Sequence, residues 1–478
     1  MKVQSRILSE AEQVRVHRES LSILSKVGVR IHSRKALELL AKHGANVDRE
    51  TKIARIPKEL IVQTLATTLK AFVLGSRNPA YNYPLPSPVS RYGMDGTAAF
   101  TIDFDSGERR YGTRKDNENA FRIFQQMDMA VMAWPPVCAE DMPAHSRPLH
   151  EFFTMIKYCS KHGQHELHRT EQAQYLMEGL IVVMGSKAEV KARHAHSVIY
   201  CPVAPLTHDG AMLDAYLELG EIDLPVLIMP MPVTGTTGPA SLFSNVCLAN
   251  AETLSSIVIF QLAHPGRPLI YSSATGTVDF RSGNFLGGMP EMGLMSGALT
   301  EMGRFYDLPA TSAGCTSDAK QPGAEAVLEK VITTIPPVLT GSDIIIGLGE
   351  IESDQLLILE QIIVDNEIAH FCERIFQGVD SNKEKTLTDD VIKLGPGGNF
   401  LTMKSTRTAA RSSEFYMPNL IDRHSRETWL ELGKPSMYSL AREKVQEILN
   451  GPVVDPLPEG VIHQLDDILT AADKEIKE

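Results

Sequence analysis

The sequence has 478 residues, 43% of them hydrophobic, which suffices for one large barrel-type domain or for two or three ordinary ones. Its formal charge of −12 is spread along the chain with no basic stripe to follow a phosphate backbone, so nucleic acid is not an expected partner. Six scattered cysteines fit reduced thiols, the charged start carries no apolar signal core, and no apolar run nears the roughly 20 residues of a membrane span, so a cytoplasmic protein is expected.

Residues 8–24 and 34–46 have charged, helix-period patterns that continue through 61–68, so residues 1–90 read as an N-terminal helical cap and entry segment. Short strands are expected at 71–75 and 98–103, around a proline-rich stretch from Pro79 to Pro88. Beyond it, apolar runs at 130–133, 164–167, 197–201, 226–229, 269–272, 310–313 and 344–347 alternate with longer helical patterns, the mark of βα units. Seven consecutive units predict an α/β fold, a (β/α)8 barrel of the TIM type over 91–403, with its eighth strand drawn from 91–103 or from 392–401. Residues 404–478 read as a helical extension packed on the barrel, with Trp429 and Tyr438 as anchors.

A parallel barrel carries its chemistry at the carboxyl ends of its strands, which makes the residues just after each run the ones of interest. They are rich in Pro and Gly, with few polar groups, and suggest stiff loops around an apolar cavity. His165 and His168 are three apart in a predicted strand and fall on opposite faces, and their convergence with Cys201 and Cys315 has no spacing signature; no bound metal is expected. There is no phosphate loop and no dinucleotide fingerprint. The strongest local signal is residues 312–320, where Gly314 turns the chain and Cys315, Thr316, Ser317 and Asp318 follow at the rim. An ordinary capped βα loop explains that segment equally well.

Four stretches give the chain a relation. They are Asp279-Phe280-Arg281-Ser282-Gly283 with Met289-Pro290-Glu291; Leu308-Pro309 with Ala313 through Lys320; Gly347-Leu348-Gly349; and Ile363 through Ala369, joined by Tyr92-Gly93-Met94-Asp95-Gly96. Together they resemble the trimethylamine methyltransferase family, and the likeness covers most of the chain. The resemblance implies a (β/α)8 barrel that hands a methyl group to the Co(I) of a partner corrinoid protein, so that cobalamin travels with the partner. No unassigned residue interrupts the chain, which places it with the branch lacking pyrrolysine, associated with quaternary amines such as glycine betaine, proline betaine, carnitine and γ-butyrobetaine.

The chemistry agrees with that branch. A quaternary ammonium already offers a neutral tertiary amine as leaving group, so neither acid nor metal is required, and the protein's task is orientation and exclusion of water. Such a cation cannot donate hydrogen bonds, so its site should combine aromatic faces and carboxylates. Tyr92, Phe100, Trp134, Tyr271 and Phe285 are the candidate faces, although core packing explains each as well. Asp95, Glu350 and Asp318 are the candidate catalytic carboxylates, and Arg281, His165, His168 and Lys320 the candidates for a betaine carboxylate. Gly314, Cys315 and Thr316 would shape the pocket where cobalt meets the methyl group. A small quaternary amine, most readily glycine betaine, and a corrinoid protein are the expected partners, and a homo-oligomer is compatible with them. Two alternatives remain open: a zinc-dependent methyltransferase or decarboxylase using Cys315, and a non-catalytic betaine-binding protein.

Overall fold

The computed structural model describes Val3 to Lys477. Eight short parallel strands form the centre: β1 (Arg91–Met94), β2 (Ala130–Ala133), β3 (His162–His165), β4 (His196–Tyr200), β5 (Val226–Ile228), β6 (Leu269–Tyr271), β7 (Thr311–Ala313) and β8 (Ile344–Leu348). Their hydrogen-bonded order is β6-β5-β4-β3-β2-β1-β8-β7, and a parallel bridge between Tyr271 and Ala310 completes the circle. Each strand is followed by a helix: α1 (Arg114–Gln125), α2 (Arg147–Tyr158), α3 (Gln172–Met184), α4 (Gly210–Leu219), α5 (Leu242–Ala263), α6 (Pro290–Phe305), α7 (Ala324–Leu339) and α8 (Leu359–Gln377). This is the expected (β/α)8 barrel. The eighth strand comes from the N-terminal side, as β1.

The expected strands appear within two residues of their predicted bounds, because consecutive buried β-branched and aliphatic residues are hard to place elsewhere in an α/β fold. Helix α5 differs from expectation. Over 22 residues it is long and apolar enough to cross a membrane by composition, but 89% of that window is buried inside the molecule, between the N-terminal cap and the strands. Its apolarity on all sides reflects burial on all sides.

The N-terminal helix Glu10–Lys26 packs on α5 and begins with a capping box in which Ser9 and Glu12 satisfy each other's backbone N–H groups. A small sheet that the sequence pattern did not reveal follows it: Val29–Ile31 and Ile53–Arg55 pair with each other, with Asn46–Asp48 and with Thr207–His208 from the loop after β4. The cap is thereby stitched to the barrel rim. At the C-terminus, Met437–Asn450 lies on α8 and Glu459–Glu475 lies on α3. Tyr438 anchors the first of these by donating to Gln361 Oε1 at 2.7 Å, whereas Trp429 donates to Pro435 in its own segment.

Candidate active site at the barrel mouth

Strand register decides which side chains enter the barrel. Paired residues share a face and faces alternate along each strand. Gly163 and His165 face α2, since a Cβ on Gly163 would lie 2.6 Å from Met155 and His165 Nε2 meets Glu151 Oε2 at 2.8 Å. His162, Gln164 and Glu166 therefore face inward. Pairing of Gly163 with Ala133 and of Gln164 with Ser197 then turns Trp134 and Cys201 inward as well. By the same alternation Tyr92 and Tyr271 face the helices, and Tyr271 donates to Asn250 of α5 at 2.8 Å.

The mouth thus holds Asp95 after β1, Trp134 after β2, Gln164 and Glu166 at β3, Cys201 after β4 and Glu350 after β8. The Glu350 side chain is fully buried, and neither of its oxygens has a hydrogen-bond partner. Burial first, and then the charges of Asp95 and Asp354, push its carboxyl well above the usual range. Asp95 and Asp354 share a side-chain hydrogen bond, and burial raises both, Asp354 further because Asp95 lies beside it. Three carboxyls therefore crowd one water-poor site, and the Lys330 ammonium is the cation that acts on all three.

Asp354 enters this cluster through an unusual turn. Glu350–Ile351 and Leu356–Leu357 form a hairpin that joins Phe100–Ile102 and Arg109–Tyr111 in a small sheet beside the rim. Within its turn Glu352, Ser353 and Asp354 all have φ between 56° and 62°, a left-handed run that non-glycine residues rarely adopt. The 312–320 segment clamps it. Ser353 N–H donates to Ser317 O at 2.8 Å, Glu352 N–H to Ala319 O at 3.0 Å, and Ser353 Oγ to Asp318 Oδ1 at 2.7 Å. Asp318 also accepts from the N–H groups of Gly287 and Gly288 at 2.8 and 2.9 Å, tying the loop after β6 to the same point. Asp318 thus ties the loops together, while Asp354, which the sequence pattern does not single out, joins the carboxyl cluster.

A second device fixes Glu350. Lys330 of α7 is fully buried and donates to Cys315 O at 2.6 Å, Gly347 O at 3.0 Å and Asp365 Oδ2 at 2.9 Å. Asp365 in turn accepts from Gly349 N–H at 2.7 Å. Burial opposes the ammonium's charge, but Asp365 beside it holds Lys330 above the ordinary lysine range. Gly347 can pass because it has no side chain: a Cβ there would lie 1.9 Å from Gly314 O.

The other expected site residues have different surroundings. Cys315 is buried behind the strands, where burial and then Asp365 push its thiol well above the usual range. Thr316 donates to Gly287 O at 2.7 Å, and the Gly314 N–H donates to Ile346 O. Phe100 stacks on Tyr111 in the rim sheet at 4.9 Å, under the Arg109 guanidinium. Phe285 lies in a hairpin with Thr277–Val278, its ring against Gly276. Arg281 is exposed and paired with Asp279, Lys320 is exposed and bonded to Asp318 O, and His168 is half exposed, 3.8 Å from Glu166. None of these cations enters the carboxyl cluster. His165, Cys201 and Cys315 face different directions, and among the described residues no three His, Cys, Asp or Glu side chains are placed to hold a metal ion.

Comparison with known proteins shows the family. The family model described as trimethylamine methyltransferase matches residues 2–476. A trimethylamine methyltransferase from Methanosarcina thermophila is 28% identical over 470 residues, 97% of this chain and 96% of the relative. A glycine betaine methyltransferase from Desulfitobacterium hafniense is 30% identical over 478 residues, 99% of this chain and 98% of the relative. A solved monomethylamine methyltransferase from Methanosarcina barkeri, 13% identical, covers 91% of this chain and 92% of its own with a TM-score of 0.46. With a match spanning nearly its whole length, the chain belongs to the trimethylamine methyltransferase family and is a methyltransferase.

Proposed function

We propose that this chain transfers a methyl group from a small quaternary amine, glycine betaine being the first candidate, to the Co(I) of a corrinoid protein that docks at the barrel mouth. The observation that carries this reading is Glu350, a buried carboxyl with two unpartnered oxygens facing Asp95 and Asp354. Burying a carboxylate without a partner costs several kcal/mol, and a cation lodged among the three would remove that penalty. A quaternary ammonium suits the site because it attracts charge and aromatic faces without needing acceptor geometry, and the Trp134 indole lies beside the chain just after Asp95.

Fit to an external methyl acceptor rests on the thiols. Cys201 and Cys315 are both pushed well above the usual thiol range by burial, so neither offers a thiolate at neutral pH. A bound corrinoid would supply a Co(I) nucleophile for the methyl group, with a neutral tertiary amine as the product. The chain's own residues bind and orient: Asp95, Glu350 and Asp354 hold the cation, Trp134 packs against it, and the loops tied together by Asp318 frame the opening. The name of the D. hafniense relative supports glycine betaine as the first substrate to try.

The test is a screen of glycine betaine, proline betaine, carnitine, γ-butyrobetaine, choline and trimethylamine against cob(I)alamin with the purified chain. Loss of the Co(I) absorbance is expected with a quaternary amine and not with trimethylamine. Persistence of Co(I) with every quaternary amine would overturn the proposal.

A further inference from the structure

Beside the carboxyl cluster lies a second set of unmet polar groups, of opposite character. Gln164 is fully buried, faces the barrel interior, and has no partner for either Nε2 or Oε1. Trp134, its neighbour across the β2–β3 pair, is 5% exposed, and its Nε1–H has no acceptor. The indole nitrogen lies close to the chain just after Asp95: a Cβ on Gly96 would come within 2.9 Å of it. An indole N–H can only donate, and an amide NH2 presents two more donors. Left without acceptors in a buried site, such groups cost roughly 1–3 kcal/mol each.

From this we infer that Trp134 Nε1 and Gln164 Nε2 form a carboxylate subsite, and that the substrate is a zwitterion whose cationic end meets Asp95, Glu350 and Asp354. The inference rests on the proposed function and names the other end of the same ligand. Neutral donors are the suitable choice. A guanidinium or ammonium reaching into this site would pair with Glu350 and cancel the cation site, whereas an indole and an amide bind a carboxylate by dipole alone and leave the cluster's charge available. Closeness is also required, because the ammonium and carboxylate of a compact betaine are separated by a single carbon. The cations expected for this role, Arg281, His168 and Lys320, lie at the rim or in solvent, and His165 faces α2.

The experiment measures binding to the full chain by calorimetry, without corrinoid, for glycine betaine, its methyl ester and tetramethylammonium. With the wild-type chain, esterification is expected to weaken binding at least tenfold. Gln164→Met, which nearly keeps volume, and Trp134→Phe, which keeps an aromatic but smaller ring, remove the donors and should each lower the ratio of glycine betaine to tetramethylammonium affinity at least fivefold. Gln164→Glu should lower it further. Equal binding of betaine and ester by the wild-type chain would overturn the subsite even if the variants fail to fold. So would variants that lose both ligands in parallel. Binding of tetramethylammonium without glycine betaine would refute the subsite alone, whereas failure to bind any of the three would refute the cation reading with it.

Discussion

The two faces of the barrel strands treat polar side chains differently. On the helix side Lys330 has Asp365 and two carbonyls, Tyr271 has Asn250, and His208 bridges Tyr200 and Ser255. On the inner side of the mouth Glu350 and Gln164 have nothing, and Trp134 lacks an acceptor. Buried polar groups are normally satisfied, so these three outer groups account for themselves as structure, and the inner ones call for a ligand. The contrast also explains the 312–320 segment. Its residues make their bonds outward and sideways, and so hold the site without entering it.

Breaking the outer set should cost folding before chemistry. Lys330→Met leaves Asp365 buried without its cation, and a loss of about 3–5 kcal/mol in urea unfolding is expected. Lys330→Met combined with Asp365→Leu should recover most of that stability but not amine binding, because the turn that aims Glu350 has lost its clamp. Recovery of both would show that the pair has no part in positioning.

Glu252 of α5 sharpens the comparison from the helix side. Its Oε1 accepts from Leu206 N–H at 2.7 Å, its Oε2 is unpartnered, and burial raises it from the ordinary 4.5 to about 8. A raised carboxyl binds its proton more tightly in the folded state. Its contribution is therefore complete below pH 4.5 and is lost as the pH climbs to about 8. Glu252→Gln should flatten the fall in stability across that window, a difference of up to roughly 4 kcal/mol by chemical unfolding. Parallel pH profiles for the two proteins would contradict this.

Changes to the inner set should reverse the pattern, costing binding and sparing the fold. Glu350→Gln is expected to weaken quaternary amine binding about 100-fold, near 2–3 kcal/mol, while the melting temperature stays level or rises. Asp318→Ala is intermediate. It frees the left-handed turn that carries Asp354, and an approximately tenfold slower methyl transfer with modest destabilisation is expected. At the small end, Cys315→Ala should leave the rate of methyl transfer within a factor of about 3, since a buried and protonated thiol is lost with only a small cavity.

Much of this architecture was legible in the sequence. The apolar runs gave the barrel strands because two-sided burial writes itself as continuous hydrophobic residues. Strand β1 stayed ambiguous because Arg91-Tyr92-Gly93-Met94 lacks such a run, and the cap sheet was missed because its strands are three residues long. The site was less legible for a geometric reason. A strand predicted at 164–167 begins at His162, and the sequence gives no anchor for which face points inward until Gly163 is seen against Met155. Without that phase His165 and Tyr271 stood beside Trp134 as candidates, and Gln164 was not singled out. Asp354 could not be seen at all, since it reaches the cluster from a turn between two-residue strands. Asp95, Trp134 and Glu350 could be named as candidates because they come at or just after strand ends.

The most direct test of the central claim, that the unmet carboxyls at the barrel mouth are the amine site, is calorimetric titration of tetramethylammonium into the wild-type chain across pH 5–9. The ligand's own charge is constant, so any change with pH belongs to the protein. Affinity is expected to rise with pH as the elevated Asp95, Glu350 and Asp354 carboxyls lose their protons, and to rise far less in Glu350→Gln. A flat or falling profile, or one identical in the two proteins, would contradict the account.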